Sequence, residues 1–321
     1  MLNDEQKIFI AKEVRERING VISFDRIKDT GSPIRLRDMS KREWNSDCFL
    51  IVYPYKTRLF FIAGTWRDRS LDFKYLEGTE SRKLTSMEKR QIDIAIKKAM
   101  DEEERKNQKN LKEKIELFGT LPFIDDVNPD FLYLKKKGLS RTYIGRYDKD
   151  RDRLIFPLMG ADGKTHGLQN IPPDGIKKRF EKGTHTTGLF YPIYDHTSRT
   201  DSIFACEGFA TGLSIFEATN TMTVVCLNCG NLTEGIKGAT EYLLHEWRKV
   251  IKETPKQFYR RFTIVSDNDE KKGGENGAIK ACSELGCSYV LIPNYGDKKL
   301  TDANDYMCKF GLNSLSKLLN I

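Results

Sequence analysis

Three carboxylates stand where two apolar runs stop. In SIFACEGFATGLSIFEAT, residues 202–219, the apolar run ends at Glu207 and Gly208 and a helical pattern starts at once. About 60 residues on, RFTIVSDNDE ends in Asp267, Asn268 and Asp269. Alternation along an extended chain sends Asp267 and Asp269 to the same side. Open α/β sheets bind ligands outside the carboxyl ends of their strands. Acids gathered there repel one another and raise their own pKa values. A hard divalent cation removes that conflict, and Mg²⁺ favours carboxylates together with water and substrate phosphate. Near the end of the chain, LTDANDY adds Asp302, Asn304 and Asp305 at the edge of the same site. A lone acid after a strand is more often a helix cap, and DND is common in loops. EG followed by DxD, each ending an apolar run in one alternating array, is the more specific pattern.

The elements that must position these acids alternate regularly. Strands are expected at 202–206, 223–227, 261–266 and 288–292, with helices at 210–219, 233–251 and 276–286. That order implies right-handed crossovers and a mainly parallel sheet flanked by helices. Upstream, LIFPLMGADGKTHGLQNI reads as a hairpin about an ADGK turn. A turn, a basic stretch and a glycine-rich loop follow in PPDGIKKRFEKGTHTTGLFYPI. Earlier still, residues 21–77 carry short apolar and aromatic runs, a small β-rich module with Trp44 and Trp66 in its core. Residues 3–18 form a helix with Ile8, Ile10, Ala11 and Val14 on one stripe. Residues 84–117 form one long charged helix, N-capped by Ser86, without a full apolar face and so a solvated connector. The expected division is a small α+β N-terminal module (1–83), the connector (84–120), a basic α+β subdomain (121–198) and a catalytic α/β domain (199–321).

Positive charge is concentrated ahead of the acids. Lys135, Lys136, Lys137, Arg141, Arg146, Lys149, Arg151 and Arg153 face only Asp148, Asp150 and Asp152, and Lys177, Lys178, Arg179 and Lys182 follow. These could be merely a solvated surface. The turn and glycine loop framing the 177–182 group favour a phosphate-binding role. The chain's net charge of +8 permits nucleic-acid binding without showing it. Seven cysteines lack framework spacing and read as reduced thiols. CLNC at 226–229 has only His245 near it, so buried thiol is the better reading and no zinc is expected. ADGKT ends like a phosphate loop, but Leu158 stands where its first glycine belongs. His185, in THTTG, has no nucleophile pattern around it. The N-terminus is charged throughout and is no signal peptide, and no apolar run approaches a membrane span, so a cytoplasmic location is expected.

EGFATG, SDNDE and TDANDY resemble the Toprim domain of bacterial-type primases, topoisomerases and some nucleases. The segment from RLIFPLMG to GLFYPI resembles the basic subdomain that precedes Toprim in bacterial-type primases. The version here, with GNL at Gly230, Asn231 and Leu232, is most similar to primases encoded by plasmids and phages. The resemblance covers about 190 residues, 128–321. It implies metal-dependent synthesis of RNA primers from ribonucleoside triphosphates on single-stranded DNA. Glu207, Asp267 and Asp269 would hold Mg²⁺ or Mn²⁺, with Asp302 and Asp305 completing the set. Gly208 would let the backbone turn away from its strand. Lys177, Lys178, Arg179 and Lys182 would face phosphates, with Arg153 and Lys135–Lys137 on the template and Asn231 in the nucleotide site. Lys178 and Lys182 fall on lysine positions of the primase basic motif, and Arg179 stands where an aromatic is frequent. Thr211 replaces an acid found in chromosomal primases. No zinc-ribbon cysteines precede the basic subdomain and no helicase-binding domain follows, so a helicase partner would be a separate protein. A Toprim nuclease and a non-catalytic nucleic-acid-binding replication protein are the alternatives. A topoisomerase would need a tyrosine-bearing gate domain for which the chain is short.

Overall fold

The computed structural model describes residues 2–39, 48–55, 58–65, 72–77 and 86–319. They fall into two compact units, Met1–Asn107 and Gln108–Ile321. The first opens with α1 (Asp4–Ile18), capped by a reciprocal pair in which the Asn3 side chain accepts the Gln6 N–H and the Gln6 side chain accepts the Asn3 N–H. Five strands follow, β1 (Gly20–Val21), β2 (Ile34–Asp38), β3 (Cys48–Tyr55), β4 (Arg58–Thr65) and β5 (Phe73–Leu76). They form an antiparallel meander in sequence order. Ile10, Val14 and Ile18, one helical turn apart, pack on Leu36, Leu50, Val52 and Phe61. Ile8, expected on that stripe, is exposed. The β-rich reading of this region holds, while Trp44 and Trp66 lie outside the described residues.

The long helix is α2 (Ser86–Thr120), in which Ser86 is already helical; the residues just before it lie outside the described residues. Its C-terminal part is not solvated throughout. Leu111 and Phe118 are buried, and Phe118 packs with Ile115 and Leu121 against Ile155 and Leu168. Lys114 reaches Glu181 at 2.5 Å. Leu111, Ile115 and Phe118 recur every three to four residues after the wholly polar stretch 101–110, which is why the middle of the helix gave no face.

The second unit continues with α3 (Ile124–Val127), α4 (Leu132–Lys136) and four antiparallel strands, β6 (Arg146–Asp148), β7 (Arg153–Met159), β8 (Thr165–Ile171) and β9 (Arg179–Phe180). Residues 160–164 are the β7–β8 hairpin turn, closed by the Gly160 N–H on the Lys164 carbonyl at 3.0 Å. ADGKT is therefore a hairpin and not a strand-to-helix phosphate loop.

The expected mainly parallel sheet is present. It comprises β10 (Tyr191–Ile193), β11 (Arg199–Cys206), β12 (Thr221–Val225), β13 (Phe262–Ser266) and β14 (Ser288–Leu291), in the order β10-β12-β11-β13-β14. All neighbours are parallel except β10, which adds an antiparallel edge that the sequence did not announce. Its helices are α5 (Phe209–Thr219), α6 (Leu232–Glu246), α7 (Pro255–Phe258), α8 (Gly273–Leu285), α9 (Ala303–Phe310) and α10 (Leu312–Leu319). Strand alternation feeds two cores: Ile203, Ala205, Val224 and Ile264 meet α6 and α8, whereas Phe204, Cys206, Val225 and Val265 meet α5, α9 and α10. Burial on both faces explains why these strands read as continuous apolar runs. The second core extends into the β6–β9 sheet through Leu154, Phe156 and Ile171, and the rings of Phe156 and Phe209 stack at 3.9 Å. The two sheets thus share one interior. Among the described residues, no helix is long and apolar enough to cross a membrane.

Candidate metal centre and basic cleft

β11 and β13 lie side by side, with Ala205 opposite Ile264. Glu207 and Asp267 therefore leave adjacent strands at nearly the same level. Asn268 then pins the following segments: its N–H donates to the Thr301 carbonyl at 2.7 Å, and its amide donates to the Ile292 carbonyl at 3.0 Å. Those bonds bring TDANDY to the acids. Gly274, in the first turn of α8, closes the other side. A Cβ there would stand 2.6 Å from the Asp267 carbonyl and 2.9 Å from Glu207 Oε1, so only glycine allows this approach.

The five acids differ in their engagement. Glu207 Oε1 and Asp267 Oδ1 are buried without a hydrogen-bond partner. Burial first, then Glu207, Asp302, Asp269 and Asp305, push the Asp267 pKa up to about 8. Burial, then Asp269 and Asp302, raise that of Glu207. Burial and Asp305 raise that of Asp302. Asp302 also caps α9, accepting the Asp305 N–H at 2.8 Å. Asp269 accepts the N–H groups of Lys271, Gly273 and Gly274, which lower its pKa, so it also holds the start of α8. Asp305 accepts from Thr301 and pairs with Lys137 at 3.4 Å. As placed, no three His, Cys, Asp or Glu side chains among the described residues are gathered tightly enough to grip one ion. Two buried carboxylate oxygens without partners, in an all-oxygen set that resists ionisation, nevertheless fit a hard divalent cation.

Two lysines face these acids. Burial opposes the Lys137 charge, but Asp302 and Asp305 outweigh it and raise its pKa. The Lys137 carbonyl accepts from Asn304 at 2.7 Å and from Cys308. Lys178 lies with its ammonium 5.0 Å from the Tyr133 ring centroid. Burial, then Lys137, lower its pKa against the pull of Asp302, Asp305 and Asp267. Arg153, Lys177, Arg179 and Lys182 instead line a separate cavity of about 570 Å³, with Arg151, Asn170, Phe180 and Glu181. Of the Lys135–Lys137 run, Lys135 pairs with Asp130 and only Lys137 joins the acids.

Two expected site residues have other duties here. Asn231 is buried: its amide donates to the Leu189 and Cys226 carbonyls, and its oxygen accepts the Gly188 N–H at 2.9 Å. It clamps the glycine loop to the end of β12, with its amide nitrogen and oxygen both engaged within the fold. Gly208 begins α5 with φ −114°, a conformation open to any residue, and a Cβ would meet only Thr211 at 3.8 Å. Its backbone therefore does not require glycine. Cys226 is fully buried, Cys229 partly exposed, and His245 bonds Arg248 and Glu246. Sequence reasoning missed Gly274, Tyr133 and the tie from Lys137 to Asp305, which joins residues 168 positions apart and leaves no local signature.

Solved structures that resemble the chain include the DnaG primase catalytic domain bound to ssDNA (TM-score 0.44, 14% identity, 68% of this chain and 79% of that one). Another is the Aquifex aeolicus primase with its zinc-binding and RNA polymerase domains (TM-score 0.42, 14% identity, 99% and 84%). In sequence, the chain is 31% identical over 102 residues to the DNA primase TraC of Escherichia coli, a stretch spanning 31% of this chain and 7% of that protein. A second Escherichia coli DNA primase TraC is 32% identical over 102 residues, 10% of its length. The chain is homologous to these primases over that stretch and spans a small part of their length. No family model matches it.

Proposed function

We propose that the chain is a DNA primase, joining ribonucleoside triphosphates into short RNA on single-stranded DNA, in the cytoplasm and in the service of plasmid or phage replication. One observation carries the reading. Buried carboxylate oxygens without partners on Glu207 and Asp267 belong to an acid cluster whose members Asp302 and Asp305 act on two lysines, Lys137 and Lys178. Acids alone would suit any divalent-ion protein. Acids with flanking ammonium groups suit a metal-bound polyphosphate.

In this reading Glu207, Asp267 and Asp269 hold Mg²⁺ or Mn²⁺, with Asp302 at the edge. Bound there, the ion supplies Lewis-acid stabilisation of phosphoryl charge and a more acidic primer hydroxyl. The chain's own residues position the reactants. Lys178 and Lys137 take the triphosphate, placing the α-phosphorus near the acids. Gly274 keeps α8 close enough that its N-terminal N–H groups orient Asp269. Arg153, Lys177, Arg179 and Lys182 hold template backbone, a sequence-independent and salt-sensitive contact. The division of labour follows: residues 121–198 carry substrate charge, 199–321 carry the metal, and a helicase is the expected replication partner.

The test is incubation with end-labelled single-stranded DNA of mixed sequence, four ribonucleotides and Mg²⁺ or Mn²⁺. Short RNA with intact template is expected. Shortened template without RNA would make the protein a nuclease. Mn²⁺ binding that yields neither product would favour a non-catalytic binding role.

A further inference from the structure

Lys178 sits among carboxylates and pairs with none of them. Asp267, Asp302 and Asp305 all act on its charge, yet among the described residues it makes no ion pair, whereas its neighbour Lys137 takes Asp305. The group it does meet is an aromatic face: its ammonium stands 5.0 Å from the centroid of Tyr133. Tyr133 is 3% exposed, and its hydroxyl has no hydrogen-bond partner. On the same ring lies the turn that carries Lys178. Gly175, at φ +72°, packs so closely that a Cβ would stand 2.6 Å from the ring carbons. The ring therefore sets both the turn and the ammonium.

We propose that Tyr133 is the positioning residue of the site, seating Lys178 on its ring face so that the ammonium stays off the acids and available to the triphosphate of the incoming nucleotide. The inference rests on the nucleotidyl-transfer reading of this site. Its physical content is a competition. A lysine drawn into a buried carboxylate pair would neutralise a metal ligand and lose its own reach for phosphate. A cation–π contact holds the ammonium without engaging its N–H donors, as an ion pair would, and so leaves them free for an anion. The buried hydroxyl contributes nothing to this, since no partner satisfies it. Phenylalanine should therefore serve as well as tyrosine.

The experiment measures primer synthesis and binding of a fluorescent ribonucleoside triphosphate by the full chain with Mn²⁺. Position 133 is varied to Phe, to Leu and to phenylalanines bearing increasing numbers of ring fluorines, which keep the shape and weaken the π face. Tyr133→Phe is expected to match the wild type. Tyr133→Leu should raise KM for nucleotide about tenfold with kcat within twofold. The fluorinated series should raise KM stepwise at constant melting temperature, so the test survives if the Leu variant folds poorly. In a Lys178→Ala background the Leu substitution should have no further effect. A flat fluorine series, additive Tyr133 and Lys178 effects, or a Phe variant as weak as Leu would overturn the proposal. Wild-type protein that neither binds nucleotide nor makes RNA would overturn the functional reading instead.

Discussion

Asp267 is the residue on which the chemistry turns. Its carboxyl is buried beside four other acids, and its pKa rises from 3.8 to about 8 in the metal-free protein. Between those values the folded state holds a proton that the unfolded chain has lost. Stability must then fall as pH rises across that window, by up to about 1.4 kcal/mol per pH unit for one full proton. Glu207 and Asp302, also raised, add in the same direction, while Asp269, lowered, opposes them. Melting curves of metal-stripped protein from pH 5 to 8.5 should show the decline. Asp267→Asn should flatten it and raise the melting temperature at pH 8. Mn²⁺ should stabilise the wild type more than the variant, and increasingly so at higher pH, because binding displaces the proton. A wild-type curve that rises with pH would contradict the burial of this group.

At the scale of elements, the contacts around the acids separate structural from chemical roles. Gly274→Ala forces a methyl group against the Asp267 carbonyl and Glu207. A cost of about 1–3 kcal/mol is expected. A drop in primer synthesis of about a hundredfold should accompany it, as α8 withdraws from the acids. Asn231→Ala should behave in the opposite way. It leaves the Gly188 N–H and two carbonyls without their partner, so stability should fall by roughly 1–3 kcal/mol. KM for nucleotide should stay unchanged, since the Asn231 amide is engaged within the fold; thermal melts and initial rates together decide it. The same scale shows what the sequence could reveal. β11, β12 and β13 were legible because a strand buried on both faces is one apolar run bounded by polar residues. The acids were legible because they end those runs. β10 was not, because three residues pairing antiparallel at an edge leave no period to read. Nor was the docking of α2, whose contact residues Ile115 and Phe118 follow the polar stretch 101–110, or the clamp by Asn231, which depends on a loop 43 residues away.

Over the whole molecule, charge is sorted by distance from the acids. Lys137 and Lys178 stand beside them, while Arg153, Lys177, Arg179 and Lys182 share a cavity of about 570 Å³. A net charge of +8 gave no hint of that sorting, and neither did the unbroken run IKKRF, in which adjacent residues serve different partners. The cavity residues should each carry a phosphate contact. Replacing any one with Ala should weaken single-stranded DNA binding across all sequences and reduce the slope of log K against log salt by about 0.7. Lys178→Ala should leave that slope unchanged and affect nucleotide instead. Anisotropy titrations at several salt concentrations separate the two groups.

The most direct test of the account is primer synthesis by Asp267→Asn beside the wild type, on single-stranded DNA with ribonucleotides and Mg²⁺ or Mn²⁺, after melting curves show both folded. Metal-dependent RNA from the wild type and at least a hundredfold less from the variant is the predicted result. RNA made at the wild-type rate by Asp267→Asn would contradict it, because the acids at the ends of β11 and β13 would then not be the site of the chemistry.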